Sequence, residues 1–315
     1  MPAMADGANP SVSMAGSTLQ GQMVAAHWGR LSLTFDGAVQ ALQAQGIAPG
    51  LATADDLHAL DMNHMGGLAA TDALAELAQL RPGRRVLDVG AGVGGPARRM
   101  AHKYGARVWG VELSEAVFQT AVQLTALVGL HDQVQFRQGS ALALPFADGA
   151  FDAVMMQHVA MQIAEKDQLF GECVRVLAPG GVLALHEIFA GDGGPPHFPL
   201  AWATDPAMSS LETLDECTAR LAQLGLTAGP FVDQSEAGRQ YHAANIQTRR
   251  QALAQQQGAE GLSVEATDAR LRIAISMERN LRGGRLQVGM VVGHKRLTSA
   301  RAAVFPAMHG AEPRS

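Results

Sequence analysis

The chain has 315 residues, 47% of them hydrophobic and 17% charged, a globular composition that fits one large domain or two small ones. Its formal net charge is −5 and no Lys/Arg cluster tracks a phosphate backbone, which speaks against nucleic acid as a partner. The two cysteines, Cys173 and Cys217, lack metal-ligand or redox-pair spacing and read as buried apolar residues of helices. A disulfide framework is excluded, and no metal site is expected.

Residues 1–22 are rich in Ala, Gly, Ser and Met, with neither a basic start nor a long apolar run, and read as a disordered tail rather than a signal peptide. Residues 306–315 read as a second tail. Nothing between them is long enough to span a membrane, so the cytoplasm is the expected location and a membrane is not an expected partner. Residues 23–82 read as an N-terminal helical cap. Within it, residues 24–45 carry apolar side chains at helical spacing up to the breaker Pro49-Gly50, and Thr53-Ala-Asp-Asp56 opens a further helix. Asp61-Met-Asn-His-Met-Gly-Gly67 follows as a loop, then a helix over 69–80 ended by Pro82-Gly83.

From residue 83 to 190 the texture changes to short apolar runs alternating with amphipathic stretches. Strands are predicted over 86–89, 107–112, 134–138, 153–157 and 182–188, with helices over 97–104, 114–128 and 166–177; Ser114 is the N-cap candidate of the second helix. This alternation implies right-handed crossovers and a doubly wound, mostly parallel α/β sheet. Residues 191–305 depart from the rhythm and read as an acceptor-side insert with the last elements of the sheet. They open on the Gly/Pro-rich loop 191–199, continue with helices over 213–224, 237–257 and 264–281 and a short strand near Phe231, and close on the apolar strand 286–293.

The sharpest motif is Val86-Leu-Asp-Val-Gly-Ala-Gly-Val-Gly-Gly95 at the first strand–helix turn. Gly90, Gly92 and Gly95 have the G-x-G-x-x-G spacing, which lets a ligand approach the backbone, and Glu112 follows Gly90 by 22 residues, where a carboxylate can accept both ribose hydroxyls. These features suit a nicotinamide enzyme as well as a methyltransferase. Asp88 separates the two: a carboxylate just before the glycine turn repels a pyrophosphate, but suits a cofactor that carries an ammonium and a sulfonium.

Residues 86–188 resemble a class I S-adenosylmethionine-dependent methyltransferase, of the group containing the ubiquinone/menaquinone, tocopherol and sarcosine/dimethylglycine methyltransferases. The resemblance rests on the glycine motif, Val108-Trp-Gly-Val-Glu-Leu-Ser114, Gly139-Ser-Ala-Leu-Ala-Leu-Pro-Phe-Ala-Asp-Gly-Ala-Phe-Asp152 and Val174-Arg-Val-Leu-Ala-Pro-Gly-Gly181, in order. It implies a Rossmann-like sheet of seven strands with the last antiparallel, and S-adenosylmethionine as cofactor. It also implies that Gly90 and Gly92 approach the methionine part, Glu112 holds the ribose and Leu113 packs on adenine. Ser140 stands where the family often has an adenine-binding Asp, so its hydroxyl, or the amides of Ser140 and Ala141, would address adenine; Gln157 is placed on the cofactor side.

The acceptor, a small molecule, is expected across the ends of the fourth and fifth strands. The candidate residues are His64, His158, Met161, Gln162, His186 and Trp202, with His158 also the candidate general base. The sarcosine-like core points to N-methylation of a small polar amine or amino acid, with O- or C-methylation of a phenolic or quinone-type product as the alternative. A nicotinamide oxidoreductase and a non-catalytic member of the fold are the readings of other classes. A homodimer is compatible with the composition.

Overall fold

The computed structural model describes residues 19–62, 64–259 and 263–297. Four helices come first: α1 (Leu19–Leu31), α2 (Phe35–Ala44), α3 (Ala54–Asp61) and α4 (Gly67–Leu77). The single helix expected over 24–45 is thus two, because Thr34 in extended conformation caps α2 by accepting from Gly37 N. α1 also begins inside the stretch expected to be a tail; residues 1–18 and 306–315, the rest of the expected tails, lie outside the described residues, as do 298–305.

The α/β body follows as β1 (Arg85–Val89), α5 (Gly95–Tyr104), β2 (Arg107–Glu112), α6 (Glu115–Leu127), β3 (Val134–Gln138), β4 (Phe151–Gln157), α7 (Lys166–Val176) and β5 (Leu177–Ala190). Ser114 stands at the N-cap of α6, though its side chain makes no capping bond. The chain then adds α8 (Leu214–Gln223), β6 (Leu226–Ala228), β7 (Val232–Asp233), α9 (Ser235–Ala254), α10 (Val264–Arg282) and β8 (Leu286–Lys295). β6 had no counterpart in the sequence reading, since three residues running into Gly229 carry no alternation to detect.

The strands form one sheet in the order β3-β2-β1-β4-β5-β8-β6, with the two-residue β7 also paired to β8. β1 to β5 are mutually parallel, and β8 runs antiparallel between β5 and β6. The expected seven-stranded path is present, and β7 is an extra edge piece. Alternation along the strands feeds two cores. Val86, Ala153, Met155, Val182 and Ala184 face one cluster, while Leu87, Val154, Met156, Leu183 and Leu185 face the other. Both sulfur side chains of the Met155-Met156 pair are therefore spent on packing, as are Cys173 and Cys217, which are free and buried.

Strand order reverses between β1 and β4, so the crossovers leave a crevice outside their carboxyl ends. Asp88 near the end of β1 and Gln157 at the end of β4 both reach it. No helix among the described residues is long and apolar enough to cross a membrane.

Candidate active site

One large cleft opens at this switch point. It is lined from the glycine turn and the ends of β2 and β3 on one side and from α1, His64 and the loop after β4 on the other.

The cofactor end is built by the β1–α5 turn and the ends of β2 and β3. Gly90, Gly92 and Gly94 all have positive φ, which makes the turn tight. A Cβ on Gly92 would meet nothing within 4 Å, so this glycine leaves its space to the cleft. Gly90 differs: a Cβ there would lie 2.5 Å from Val159 Cγ2, so its bareness lets the β4 loop pack on the turn. Gly95 does not line the cleft. Its Cβ would strike Asp61 O at 2.5 Å, so the third glycine of the motif admits the end of α3.

Glu112 and Asp88 face the cleft together and are nearly fully buried. Glu112 accepts from Gly92 N at 3.1 Å and from Ser114 N at 2.9 Å, which braces the glycine turn. Burial raises its pKa against the pull of these amides. The turn does not need Asp88 in the same way, since the amides of Gly90 and Ala91 donate to Val111 O at 2.9 and 3.0 Å. Asp88 Oδ2 is buried without a partner, and burial, then the charge of Glu112, pushes the Asp88 carboxyl up to about 7. Two buried carboxylates, one lacking a partner, make a site for a cationic ligand. Leu113, Ser140 and Ala141 also line this end; Ser140 Oγ accepts from Leu142 N at 3.1 Å, so its hydroxyl keeps its proton free to donate.

The acceptor end is assembled from distant segments. His64 bonds Gly67 O at 3.0 Å and Thr71 Oγ1 at 3.1 Å, and Thr71 donates to Gln157 Oε1 at 3.3 Å. Gln157, expected on the cofactor side, lines the cleft with its Nε2 unpartnered and is joined through Thr71 to His64 of the acceptor end, and Gln162 lines it while accepting from Trp28 Nε1 at 2.7 Å. His158 lines the cleft in a left-handed conformation, φ +57°, with its ring 4.7 Å from that of His186 and 6.0 Å from that of His64. Burial lowers all three imidazoles: His64 to about 4, His186 to about 3, and His158 well below the usual histidine range, with the neighbouring rings adding to the effect. The cluster is neutral at working pH.

Three expected acceptor residues do not line this cleft. His186 sits behind His158, and Met161 and Trp202 are buried in a separate apolar cluster, where Trp202 Nε1 donates to Ser209 Oγ at 3.1 Å. The indole thus has its partner inside the protein. Conversely, Gln20, Val24 and Trp28 of α1 line the cleft, and nothing in their local pattern marked them out. α1 is tied over the site by the Trp28–Gln162 bond and by Gln20 Nε2 donating to Ser210 Oγ at 3.0 Å. Asp61, also at the cleft, pairs with the buried Arg98 at 2.8 Å. Arg98 further donates to Thr125 Oγ1 and Val93 O, joining α3, the glycine turn and α6.

A doubly wound sheet with a terminal antiparallel strand, a glycine turn at its switch point and a carboxylate pair beneath it defines the class I methyltransferase fold. Residues 87–185 match the methyltransferase domain family, and this part of the chain is a methyltransferase domain of the S-adenosylmethionine-dependent kind. Over 184 residues the chain is 33% identical to methyltransferase GfsG of Streptomyces halstedii, an alignment covering 58% of this chain and 66% of that protein. It is 41% identical over 108 residues to a rice protein described as a chloroplastic tocopherol O-methyltransferase, covering 34% of this chain but only 30% of the relative. A Galdieria sulphuraria structure described as a sarcosine dimethylglycine methyltransferase superposes with a TM-score of 0.62 at 22% identity, over 74% of this chain and 86% of the other. The partnerless Asp88 and the open Cβ position of Gly92 fit the cofactor of this class and oppose a pyrophosphate.

Proposed function

We propose that the chain methylates a hydroxyl oxygen of a small, largely apolar and uncharged acceptor, with His158 as general base. One observation carries the acceptor class: among the described residues, no lysine or arginine lines the cleft. An amino acid or a phosphorylated amine would bring an anionic group into the crevice without a cation to meet it. This weighs against the amino-acid acceptor that the sequence suggested. Of the acidic side chains on the cleft, Asp88 and Glu112 lie at the cofactor end and Asp61 is held by Arg98, which leaves Glu165 at the rim of the acceptor end as the one carboxylate there among the described residues. Apart from Glu165, the acceptor end carries neutral hydrogen-bonding groups, His64, Gln157, His158 and Gln162, beside apolar Val24, Trp28 and Ile163. The partial similarity to a tocopherol O-methyltransferase supports the same choice.

When bound, the cofactor supplies an electrophilic methyl group on a positively charged sulfur. The carboxylates of Asp88 and Glu112 favour that cation, and the glycine turn gives it backbone access. Gln157 and Gln162 orient the acceptor, so that proximity and alignment supply much of the rate. The His158 imidazole takes the hydroxyl proton as the oxygen is methylated and later returns it to solvent. Its lowered pKa keeps it in the proton-accepting form as the medium becomes acidic.

Replacing His158 by Ala tests this reading. Turnover should fall about 10²–10⁴-fold with cofactor affinity unchanged, the usual size of a general-base contribution. At saturating cofactor, wild-type kcat should stay level through pH 6, because burial holds the imidazole neutral there. An amine acceptor would instead give a loss set by the amine's own basicity, and little change in kcat for His158→Ala.

A further inference from the structure

The segment that carries His158 is braced by a residue outside every sequence motif. Glu187 follows His186 on β5 and is 1% exposed. Its Oε1 accepts from Val159 N at 2.9 Å and Ala160 N at 3.2 Å, and its Oε2 accepts from Val159 N at 3.2 Å. His158 N donates to His186 O at 2.8 Å, so three successive amides are anchored on one stretch of β5. On the other flank the buried Lys166 Nζ donates to the carbonyls of Ala160, Ile163 and Ser210 at 2.5, 2.6 and 2.5 Å.

This bracing coincides with an unfavourable backbone conformation. A histidine at φ +57° is in the left-handed region, which non-glycine residues occupy only where the surroundings enforce it. Freed, the residue would relax to negative φ and its ring would turn from where it now lines the cleft. The loop is also registered against the cofactor turn, since Val159 fills the space a side chain on Gly90 would need.

We infer that Glu187 is a positioning residue, which holds the backbone beyond His158 so that the imidazole faces the acceptor in its left-handed conformation. Lys166 fixes the far end of the same loop. The catalytic consequence rests on the reading of His158 as base given above; the conformational one does not. Burial pushes the Glu187 carboxyl up to about 7. A glutamine is therefore a close substitute: its Oε1 can still accept from both amides, whereas methionine fills the volume and accepts nothing.

The test compares Glu187→Met with Glu187→Gln. The methionine variant should lower kcat about tenfold to a hundredfold through misplacement of the base, with the dissociation constant for S-adenosylmethionine within about threefold of wild type. Its His158 ring should give broadened or multiple NMR signals. The glutamine variant should retain a single His158 signal and most of the turnover. In a His158→Ala background, Glu187→Met should cost little further kcat. A third measurement, free of any folding problem, is amide hydrogen exchange in the wild-type protein, where Val159 and Ala160 should be protected. Fast exchange at both amides, or a methionine variant that binds cofactor with an unchanged His158 signal and kcat, overturns the inference. If His158→Ala leaves turnover intact while the His158 signal still responds to Glu187, the base assignment fails and the positioning stands.

Discussion

The two ends of the cleft are made in different ways. The cofactor end comes from one continuous turn and the tips of neighbouring parallel strands, with Asp88, Gly90, Gly92 and Glu112 fixed by the register of β1 on β2. The acceptor end is drawn from α1, the segment after α3 and the loop after β4, joined by contacts such as Trp28 to Gln162, 134 residues apart. Electrostatically they also differ: one end buries two carboxylates, the other presents neutral imidazoles and amides with Glu165 at its rim. The cofactor end is thus a local device that tolerates little change. The acceptor end can be varied segment by segment while the sheet stays intact.

Substitutions can break or sharpen that contrast. The largest effect is expected from Gly92→Val, which puts a branched side chain into the open space of the turn at φ +55° and should abolish cofactor binding. Calorimetric titration of the folded variant checks this, and normal affinity would remove the turn from the cofactor site. Next is Asp61→Asn, which leaves Arg98 buried without its counter-charge and should destabilise the fold by about 3–5 kcal/mol. Denaturant unfolding measures it; a loss near zero would mean that the pair does not hold the helical cap to the turn.

A smaller effect should follow pH. The Asp88 carboxyl is raised to about 7 in the folded protein, so the stability this group contributes is fully present below the ordinary carboxylate range and is lost as pH rises through about 7. A cationic ligand reverses the preference by favouring the ionised form, and binding below pH 7 then releases a proton. Affinity for S-adenosylmethionine should accordingly rise about tenfold from pH 6 to pH 8. In Asp88→Asn that rise should shrink, and an equal slope in both proteins would show that Asp88 does not sense the ligand.

The same contrast explains what could be read from the sequence. The sheet was legible because buried parallel strands leave continuous apolar runs, as in Ala153–Met156, and because the glycine turn has a fixed place after the first strand. Gly95 was misleading: it satisfies the motif's spacing but serves the approach of Asp61, a contact that depends on where α3 packs. Trp202 and Met161 drew attention by residue type and by nearness in sequence to the fifth and fourth strands, yet both turn into an apolar cluster. Trp28 and Gln20 went unnoticed because a helix docked over a cleft shows no signal beyond its own amphipathic pattern. Glu187 belongs to no motif, and its bonds to the loop beside the left-handed backbone of His158 reveal its use.

The central claim is methyl transfer to an uncharged hydroxyl compound at a cleft that, among the described residues, no lysine or arginine lines. It is tested most directly by incubating the protein with methyl-labelled S-adenosylmethionine and matched acceptor panels: apolar phenols and alcohols, amino acids, and phosphorylated amines. The account predicts label on the oxygen of a neutral hydroxyl acceptor, with one S-adenosylhomocysteine released per methyl transferred. Label carried by the amino acids or phosphorylated amines and absent from the hydroxyl panel would contradict it, as would tight cofactor binding with no label leaving the cofactor for any acceptor.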